Sequence, residues 1–206
     1  MTLSASLQDR PDRKVAPLVP RVDQLLDAAQ SLIQQRGYNG FSYEDLAQIV
    51  GIRKPSIHHH FPKKEDLGVR VIRRYAERFQ HMLEAIQHGT ATTAGRLGAY
   101  IELFSTTYGT TRKLCPCGIL GAESPTLPDS ITNAVADFFT LNLTWLAALL
   151  EQGRGRGQLT FIGAPDTQAL LLLSALEGAM VVGRGSGNMD SVNSVGSALV
   201  AQLIAS

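Results

Sequence analysis

Two short stretches of the sequence carry residue types that could do chemistry. GIRKPSIHHHF places His58, His59 and His60 in a row, and LCPCG holds the only two cysteines, Cys115 and Cys117. Histidine can bind a metal, transfer a proton or donate a hydrogen bond, and a thiol can bind a metal or act as a nucleophile. The helices that position these side chains decide between those roles.

The histidine run is poorly arranged for a metal ion. Successive residues of a helix are about 100° apart, so the three rings point in different directions and cannot converge. A helical metal pair needs i, i+4 spacing, but the positions four residues before and after His58 hold Lys54 and Pro62. We therefore predict no metal site and no cofactor. Some rings can simply be packed or solvated, and His60 is expected to pack beside Phe61.

The two thiols keep four interpretations open. They can be small buried core residues, or sensors of an electrophile or oxidant. A metal site would need two further ligands, which no nearby cluster supplies. A disulfide within Cys-Pro-Cys would be strained. As a sensor, Cys117 is the expected nucleophile, because Pro116 can open a short helix whose N-terminal amides favour a thiolate. Arg112 and Lys113 can add positive potential there.

The elements around the histidines are predicted to be helices. One apolar stripe begins at Val22 and is followed by a short helix over 43–50, where Ser42 and Asp45 have the spacing of a capping box. Gly51 ends that helix, and a second short helix carries Pro55 in its first turn. Two short helices joined by a glycine turn are typical of a helix-turn-helix.

The remaining sequence is also helical in its periodicity. A long helix is expected over 64–87, another follows in TAGRLGAYIELFSTTYG, and three more are expected over 128–152, 166–183 and 189–205, with a GRGRGQ loop between the first two of these. No strand alternation is visible, so the predicted fold class is all-α. We divide the chain into a flexible arm, a helix-turn-helix domain and a larger helical domain, over 1–20, 21–66 and 67–206.

Charge and hydropathy indicate where the protein works. Residues 1–88 carry 13 Lys+Arg and 10 Asp+Glu, whereas residues 89–206 carry 6 and 8. The basic first part suits a polyanionic partner. The first twenty residues lack the apolar core of a signal peptide. The most apolar segment, 169–183, contains Glu177 and is shorter than the ~20 residues of a membrane span. We predict a soluble cytoplasmic protein with no membrane partner.

The second short helix has the residues to read double-stranded DNA. Lys54 and Ser56 can hydrogen-bond to base edges in the major groove, and Pro55 can contact a thymine methyl. His58 and His59 can donate to phosphates on either side. The full set of predicted DNA contacts is Ser42, Tyr43, Arg53, Lys54, Pro55, Ser56, His58, His59 and Lys64.

The stretch FSYEDLAQIVGIRKPSIHHHFPKKEDL resembles the DNA-binding segment of TetR/AcrR-type regulators. The resemblance covers about residues 22–67 and includes the helix-one stripe, the glycine turn and the IHHHF end of the reading helix. Lys64 matches the phosphate-binding lysine of that family. His58 replaces a usual tyrosine, and Arg53 and Lys63 replace capping serines. Both helix starts are therefore expected to be weaker but more cationic.

The resemblance implies a homodimer whose larger domain binds a small-molecule inducer and whose two reading helices recognise a palindromic operator. The apolar helices over 128–152 and 169–183 are the expected dimer elements, although an intramolecular core would also explain them. The candidate ligand-binding residues, each of which could instead be an ordinary core residue, are Tyr100, Phe104, Tyr108, Cys117, Phe138 and Trp145.

The resulting prediction is a homodimeric, ligand-responsive transcriptional repressor and not an enzyme. A small molecule or a thiol-reactive compound would release it from the operator through a population shift. One alternative is a small thiol oxidoreductase, which the lack of a CxxC motif and of a βαβ pattern around the cysteines disfavours. The other is an architectural DNA binder, which would bind all duplexes equally.

Overall fold

The computed structural model describes residues 21–109 and 111–204, and the predicted arm over 1–20 lies outside them. Within these ranges the regular structure is nine α-helices and one short 3-10 turn, and the only strand-like pairing is an isolated bridge between Leu159 and Ile204. The all-α prediction is confirmed. The helices are α1 Arg21–Arg36, α2 Tyr43–Val50, α3 Lys54–His60, α4 Lys64–Gly89, α5 Thr93–Tyr108, α6 Pro116–Glu123, α7 Asp129–Gly155, α8 Pro165–Ser186 and α9 Ser191–Leu203.

The helix-turn-helix forms from the predicted local signals. The Ser42 hydroxyl oxygen accepts from the Asp45 N–H at 3.3 Å, and the Ser42 N–H donates to the Asp45 carboxylate at 2.7 Å. Gly51 ends α2 with φ +68°, a conformation in which a residue with a Cβ is strained. Arg53 makes no side-chain cap for α3, as expected. At the start of α4, Asp66 instead accepts from the backbone N–H of Lys63 at 3.1 Å.

Helix α4 connects the two parts of the chain. It packs against α1 on one side and against α7 on the other. Arg74 is only 6% exposed, and its guanidinium donates to the carboxylates of Asp27 at 2.6 Å and Asp23 at 3.4 Å. Two acidic partners compensate for burying this cation, so α4 is held firmly on α1. The predicted domain boundary at residue 66 falls in the first turn of this shared helix.

Helices α5 and α7–α9 build the second part around a continuous apolar core. Several helices run beyond their predicted ends. α7 continues to Gly155, so the first half of the predicted GRGRGQ loop is helical. Gly153 lets the following segment fold back onto the helix, because a Cβ there would lie 2.6 Å from a Leu159 methyl. The segment 169–183, predicted to be too short for a membrane span, lies within the 22 residues of α8.

Two helices, α7 and α8, are long and apolar enough to cross a membrane by length and composition. The core helices of soluble proteins pass the same test, so this observation is weak evidence for a membrane. Both helices here bury one face in the core, through Phe138 and Leu146 on α7 and Leu172 and Leu176 on α8. This packing accounts for the apolar residues on the buried face of each helix.

Candidate DNA interface and effector region

Helix α3 presents most of its surface to the outside. Ile57 is its only buried residue and anchors the helix on the core at 0% exposure. The side chains predicted to contact bases or phosphates from this helix and its start are exposed, namely Arg53, Lys54, Pro55, Ser56, His58 and His59. The structure therefore places six of the nine predicted DNA contacts on one accessible helix and the residue that precedes it.

The two predicted contacts at the start of α2 have different surroundings. Ser42 is exposed, but its hydroxyl also donates to the Asp45 carboxylate at 2.6 Å within the cap. Tyr43 is only 6% exposed, and its hydroxyl donates to the Phe61 carbonyl at 2.8 Å. Burial raises the pKa of Tyr43 to about 12, and Asp66 adds to the rise. Tyr43 thus ties α2 to the end of α3, a structural role that the sequence did not indicate.

The three histidines do not share one environment. His58 lies edge-on to the Tyr43 ring, with centroids 4.8 Å apart, and its Nδ1 is 3.4 Å from the Pro62 carbonyl oxygen. His59 and His60 are both exposed, with ring centroids 5.4 Å apart. The prediction that His60 packs was wrong, because the chain turns at Phe61 and places that ring, not the imidazole, in the core.

Lys64 is engaged inside the protein. Its ammonium group donates to the backbone carbonyls of Tyr38 and Phe41 and lies 4.4 Å and 4.2 Å from the centroids of their rings. Burial lowers the pKa of this lysine, and Glu123 opposes the shift. The ammonium therefore closes the loop between α1 and α2, and a phosphate contact would have to displace these carbonyls. This differs from the predicted role of Lys64 as a phosphate ligand.

Helix α6 joins the cysteines to the DNA-binding part. Cys115 precedes its first residue, and Glu123 is its last. The Glu123 carboxylate accepts from the backbone N–H of Tyr38 at 2.8 Å, at the end of α1. On the other side, Gln34 donates to the Leu114 carbonyl at 2.9 Å. A displacement of α6 would therefore act on both hydrogen bonds at the base of the reading domain.

Both thiols are buried, with Cys115 at 1% and Cys117 at 0% exposure. Cys117 lies in the first turn of α6, as expected. Burial raises the pKa of Cys115 well above its ordinary value, with Cys117 and Glu177 contributing. The Tyr75 hydroxyl lies 4.0 Å from the Cys115 sulfur. This surrounding disfavours a Cys115 thiolate at neutral pH.

The two cations expected to lie near Cys117, Arg112 and Lys113, lie elsewhere in the described structure. Arg112 and Lys113 line a polar cavity of about 450 Å³ together with Arg184. Arg184 itself donates to the carbonyls of Gln34 and Gln35, at 3.2 Å and 3.1 Å. These cations therefore gather at the junction of α1 and α8, where Arg184 links the two parts of the chain.

Cys115, rather than Cys117, lines a cavity. The space of about 310 Å³ lies between α6 and α8, and its lining includes Cys115, Ile119, Glu177 and Val181. Burial raises the pKa of Glu177 to about 7, and the nearby Cys115 opposes the rise. The sequence did not lead us to Glu177 as a site residue. The available signal was that Glu177 is the only charged residue between Asp166 and Arg184.

The predicted aromatic ligand site is packed. Tyr100, Phe104, Tyr108 and Phe138 are all at most 2% exposed. Tyr100 stacks on Trp145 with centroids 5.5 Å apart, and its hydroxyl donates to the buried side chain of Asn142 at 2.9 Å. Trp145 alone of these aromatic residues lines one of the described cavities, about 320 Å³ between α4 and α7. The prediction missed Asn142, which satisfies the tyrosine in the core.

Comparison with known proteins places this architecture in a family. Residues 25–71, which span most of α1 to the first part of α4, match the model of bacterial regulatory proteins of the tetR family. The Escherichia coli K12 transcriptional repressor NemR is 30% identical over 166 residues, which cover 76% of this chain and 80% of NemR.

Solved structures agree with the sequence comparison. A TetR-family regulator from Agrobacterium tumefaciens is 31% identical and superposes with a TM-score of 0.87, covering 90% of this chain and 98% of that one. The reduced form of E. coli NemR shares the fold with a TM-score of 0.80 at 24% identity, covering 90% and 98% of the two chains. The chain therefore belongs to the tetR family of bacterial regulatory proteins and is a DNA-binding regulator of transcription.

Proposed function

We propose that the protein is a cytoplasmic homodimeric repressor without catalytic activity. It binds a palindromic operator through α3 and leaves it when a small molecule or a thiol-reactive compound acts on the second domain. The exposed face of α3 carries this proposal, since one buried anchor leaves the rest of the helix available to a major groove. NemR, which matches most of the chain, is named as a repressor.

Sequence reading depends on the start of α3. Lys54 and Ser56 are exposed there and can donate to base edges, while Pro55 offers an apolar contact. His58 and His59 reach towards the flanking backbone, where imidazole N–H groups can bind phosphates. Lys64 acts on affinity indirectly, because its contacts with Tyr38 and Phe41 hold the loop that precedes α2.

The outward face of α8 supports a dimer. Four large apolar side chains on it are between 52% and 67% exposed, Leu170, Leu171, Val181 and Val182. Burying a side chain of this size is worth about 1.5–3 kcal/mol, so a second copy stacked on this face would gain substantially. The small residues Ala179 and Gly183 do not belong to that face. They are buried within the chain, where a Cβ at Gly183 would lie in contact with Ser191 on α9.

Release from DNA runs through α6 in this proposal. A molecule entering the cavity between α6 and α8, or an adduct on Cys115, adds volume next to the start of α6. Packed interiors respond to added volume by a discrete shift of an element rather than by compression. Glu123 at the far end of α6 would carry that shift to Tyr38 and change the spacing of the two reading helices.

Selection of duplexes from a random pool tests this function. We expect enrichment of a palindrome. We also expect Ser56→Ala to relax discrimination at one base position, at a free-energy cost no larger than about 1–3 kcal/mol. Ser197→Ala, an exposed serine on α9, is the matched control and should leave selection unchanged. Equal affinity of the wild-type protein for all duplexes would contradict the proposal and favour an architectural DNA binder.

A further inference from the structure

The carboxyl group of Glu177 is an acid without a matching cation. The residue is partly exposed, but its Oε1 is buried and has no hydrogen-bond partner. Among the described residues, no lysine or arginine forms an ion pair with it. Glu177 lies so close to α6 that a Cβ at Gly118 would be 2.3 Å from its Oε2. A buried polar oxygen without a partner is destabilising, so its presence needs an explanation.

The space beside this carboxyl has the composition of a small-molecule site. A cavity of about 400 Å³ between α6, α7 and α8 is lined by Phe139, Leu143, Leu170, Leu173, Ser174 and Glu177. Ligand pockets generally have this size and combine an apolar wall with a few polar groups that orient the ligand. Here one ionisable group, one hydroxyl and one aromatic ring stand out on an otherwise apolar wall.

We propose that this cavity binds a small organic amine, with the protonated nitrogen paired to Glu177 and its apolar body against Phe139 and the leucines. A protonated amine donates to the Glu177 carboxyl group and supplies the missing charge. The Phe139 ring can add a cation–π contact with the same nitrogen. The inference rests on the proposed function, because it names the ligand class of the effector region, and it places that ligand away from the predicted aromatic set.

Other kinds of molecule or ion fit this cavity less well than a protonated amine. A bare metal ion would need several oxygen ligands, whereas the lining supplies one carboxylate and one hydroxyl. An anion would be repelled by the ionised Glu177. A neutral apolar molecule would fill the volume and leave the Glu177 carboxyl group without a cationic donor, at a free-energy penalty. The protonated amine satisfies the charge, the hydrogen bond and the apolar wall together.

Ionisation of Glu177 should control this binding. The nearest titratable groups facing it are Cys115 on α6, Tyr75 on α4 and Tyr100 on α5, and Glu123 lines the adjoining cavity. Burial raises the pKa of Cys115, Tyr75 and Tyr100, so these three groups remain neutral near pH 7. Burial likewise raises the pKa of Glu177 to about 7. An amine of ordinary basicity stays protonated, and its affinity should rise about tenfold between pH 6 and pH 8 as Glu177 ionises.

Calorimetric titration with phenylbutylamine and its isostere phenylbutanol tests the proposal without any DNA. The wild-type protein should bind the amine about tenfold more tightly or better, since a charge-assisted hydrogen bond separates the two probes. Glu177→Gln keeps the shape of the side chain and should remove the preference. Asp137→Asn, on the exposed side of α7, is the matched control and should retain it. Phe139→Leu should weaken amine binding more than alcohol binding.

Each opposing result has a distinct meaning. Equal affinity for the two probes, or a preference that survives in Glu177→Gln, would overturn the assignment of the amine to this carboxyl. Failure of both probes to bind a protein that still selects its operator would overturn the ligand class and leave the regulator function standing. A wild-type protein that binds the amine but shows no DNA selectivity would overturn the proposed function and support the site.

Discussion

The carboxylate of Glu123 accepts a hydrogen bond from the backbone N–H of Tyr38 at 2.8 Å, across 85 positions of sequence. Gly37 permits this approach, because its φ is +76° and a Cβ there would collide with Glu123 Oε1. Lys64 donates to the carbonyl oxygen of the same Tyr38. Tyr38, just after the end of α1, is thus held by two hydrogen bonds. One joins it to α6, beside the cavity that contains Cys115, and the other joins it to α4.

Glu123→Ala should weaken the communication between effector and operator. The bond has a charged acceptor, and losing it should reduce the coupling free energy between the two sites by about 0.5–2 kcal/mol. The measurement is operator affinity with and without an inducing compound. Asp137→Ala is the control, since this residue is exposed on α7. Unchanged coupling in Glu123→Ala would show that another contact, such as Arg184 with Gln34, transmits the change.

Lys64→Met should lower stability more than it changes the salt dependence of DNA binding. The variant keeps the apolar stem but loses donors to the Tyr38 and Phe41 carbonyls, so the free energy of unfolding should fall on the order of 2 kcal/mol. Thermal unfolding and a salt titration of operator affinity measure both effects. Lys63→Met is the matched control, because Lys63 is exposed. If Lys64→Met instead reduces the salt dependence of operator affinity by about one unit of slope and leaves stability unchanged, Lys64 contacts a phosphate.

Glu177→Gln should flatten the dependence of stability on pH. The folded-state pKa of about 7 lies above the ordinary 4.5, so the folded protein holds this proton more tightly than the unfolded chain. The free energy of unfolding should therefore fall as pH rises from 4.5 to 7, on the order of 3 kcal/mol in total. Denaturation curves across this window measure it. A wild-type curve parallel to that of the variant would mean that Glu177 titrates normally.

A maleimide should label Cys115 in preference to Cys117, and slowly. Cys115 lines a cavity, whereas Cys117 is completely buried, and the raised pKa of Cys115 keeps the reactive thiolate scarce. Mass spectrometry of wild type, Cys115→Ser and Cys117→Ser locates the adduct, and operator release is followed in parallel. A further variant carries both Cys115→Ser and Cys117→Ser. If the same compound still fully releases this variant from the operator, both cysteines serve only core packing.

Leu171→Glu combined with Val182→Glu should convert a dimer to a monomer. Both side chains are more than half exposed on the outward face of α8, and two carboxylates from each copy would meet across a two-fold axis. Sedimentation at micromolar concentration measures the change. Ile162→Glu, at a fully exposed position before α8, should remain dimeric. A dimer that persists in the double variant would place the interface on another surface.

The sequence by itself determined the elements and the family. Apolar periodicity, the Ser42–Asp45 box and the Gly51 turn act over a few residues, so they specified the helix-turn-helix almost to the residue. The exposure of Lys54, Pro55 and Ser56 also followed, because a seven-residue helix with one apolar anchor has little else to bury.

Only the tertiary structure decided what the individual polar groups contact. Lys64 meets the carbonyls at the end of α1, Glu123 meets Tyr38, and Glu177 faces a cavity beside Cys115. The packing of α1, α4, α6 and α8 brings these groups together. The residues of the first two pairs are 26 and 85 positions apart in the sequence. The same packing filled the expected aromatic pocket with its own side chains. Local patterns set which helices form, but burial and charge pairing depend on which helix faces lie against each other, and no short stretch of sequence encodes that.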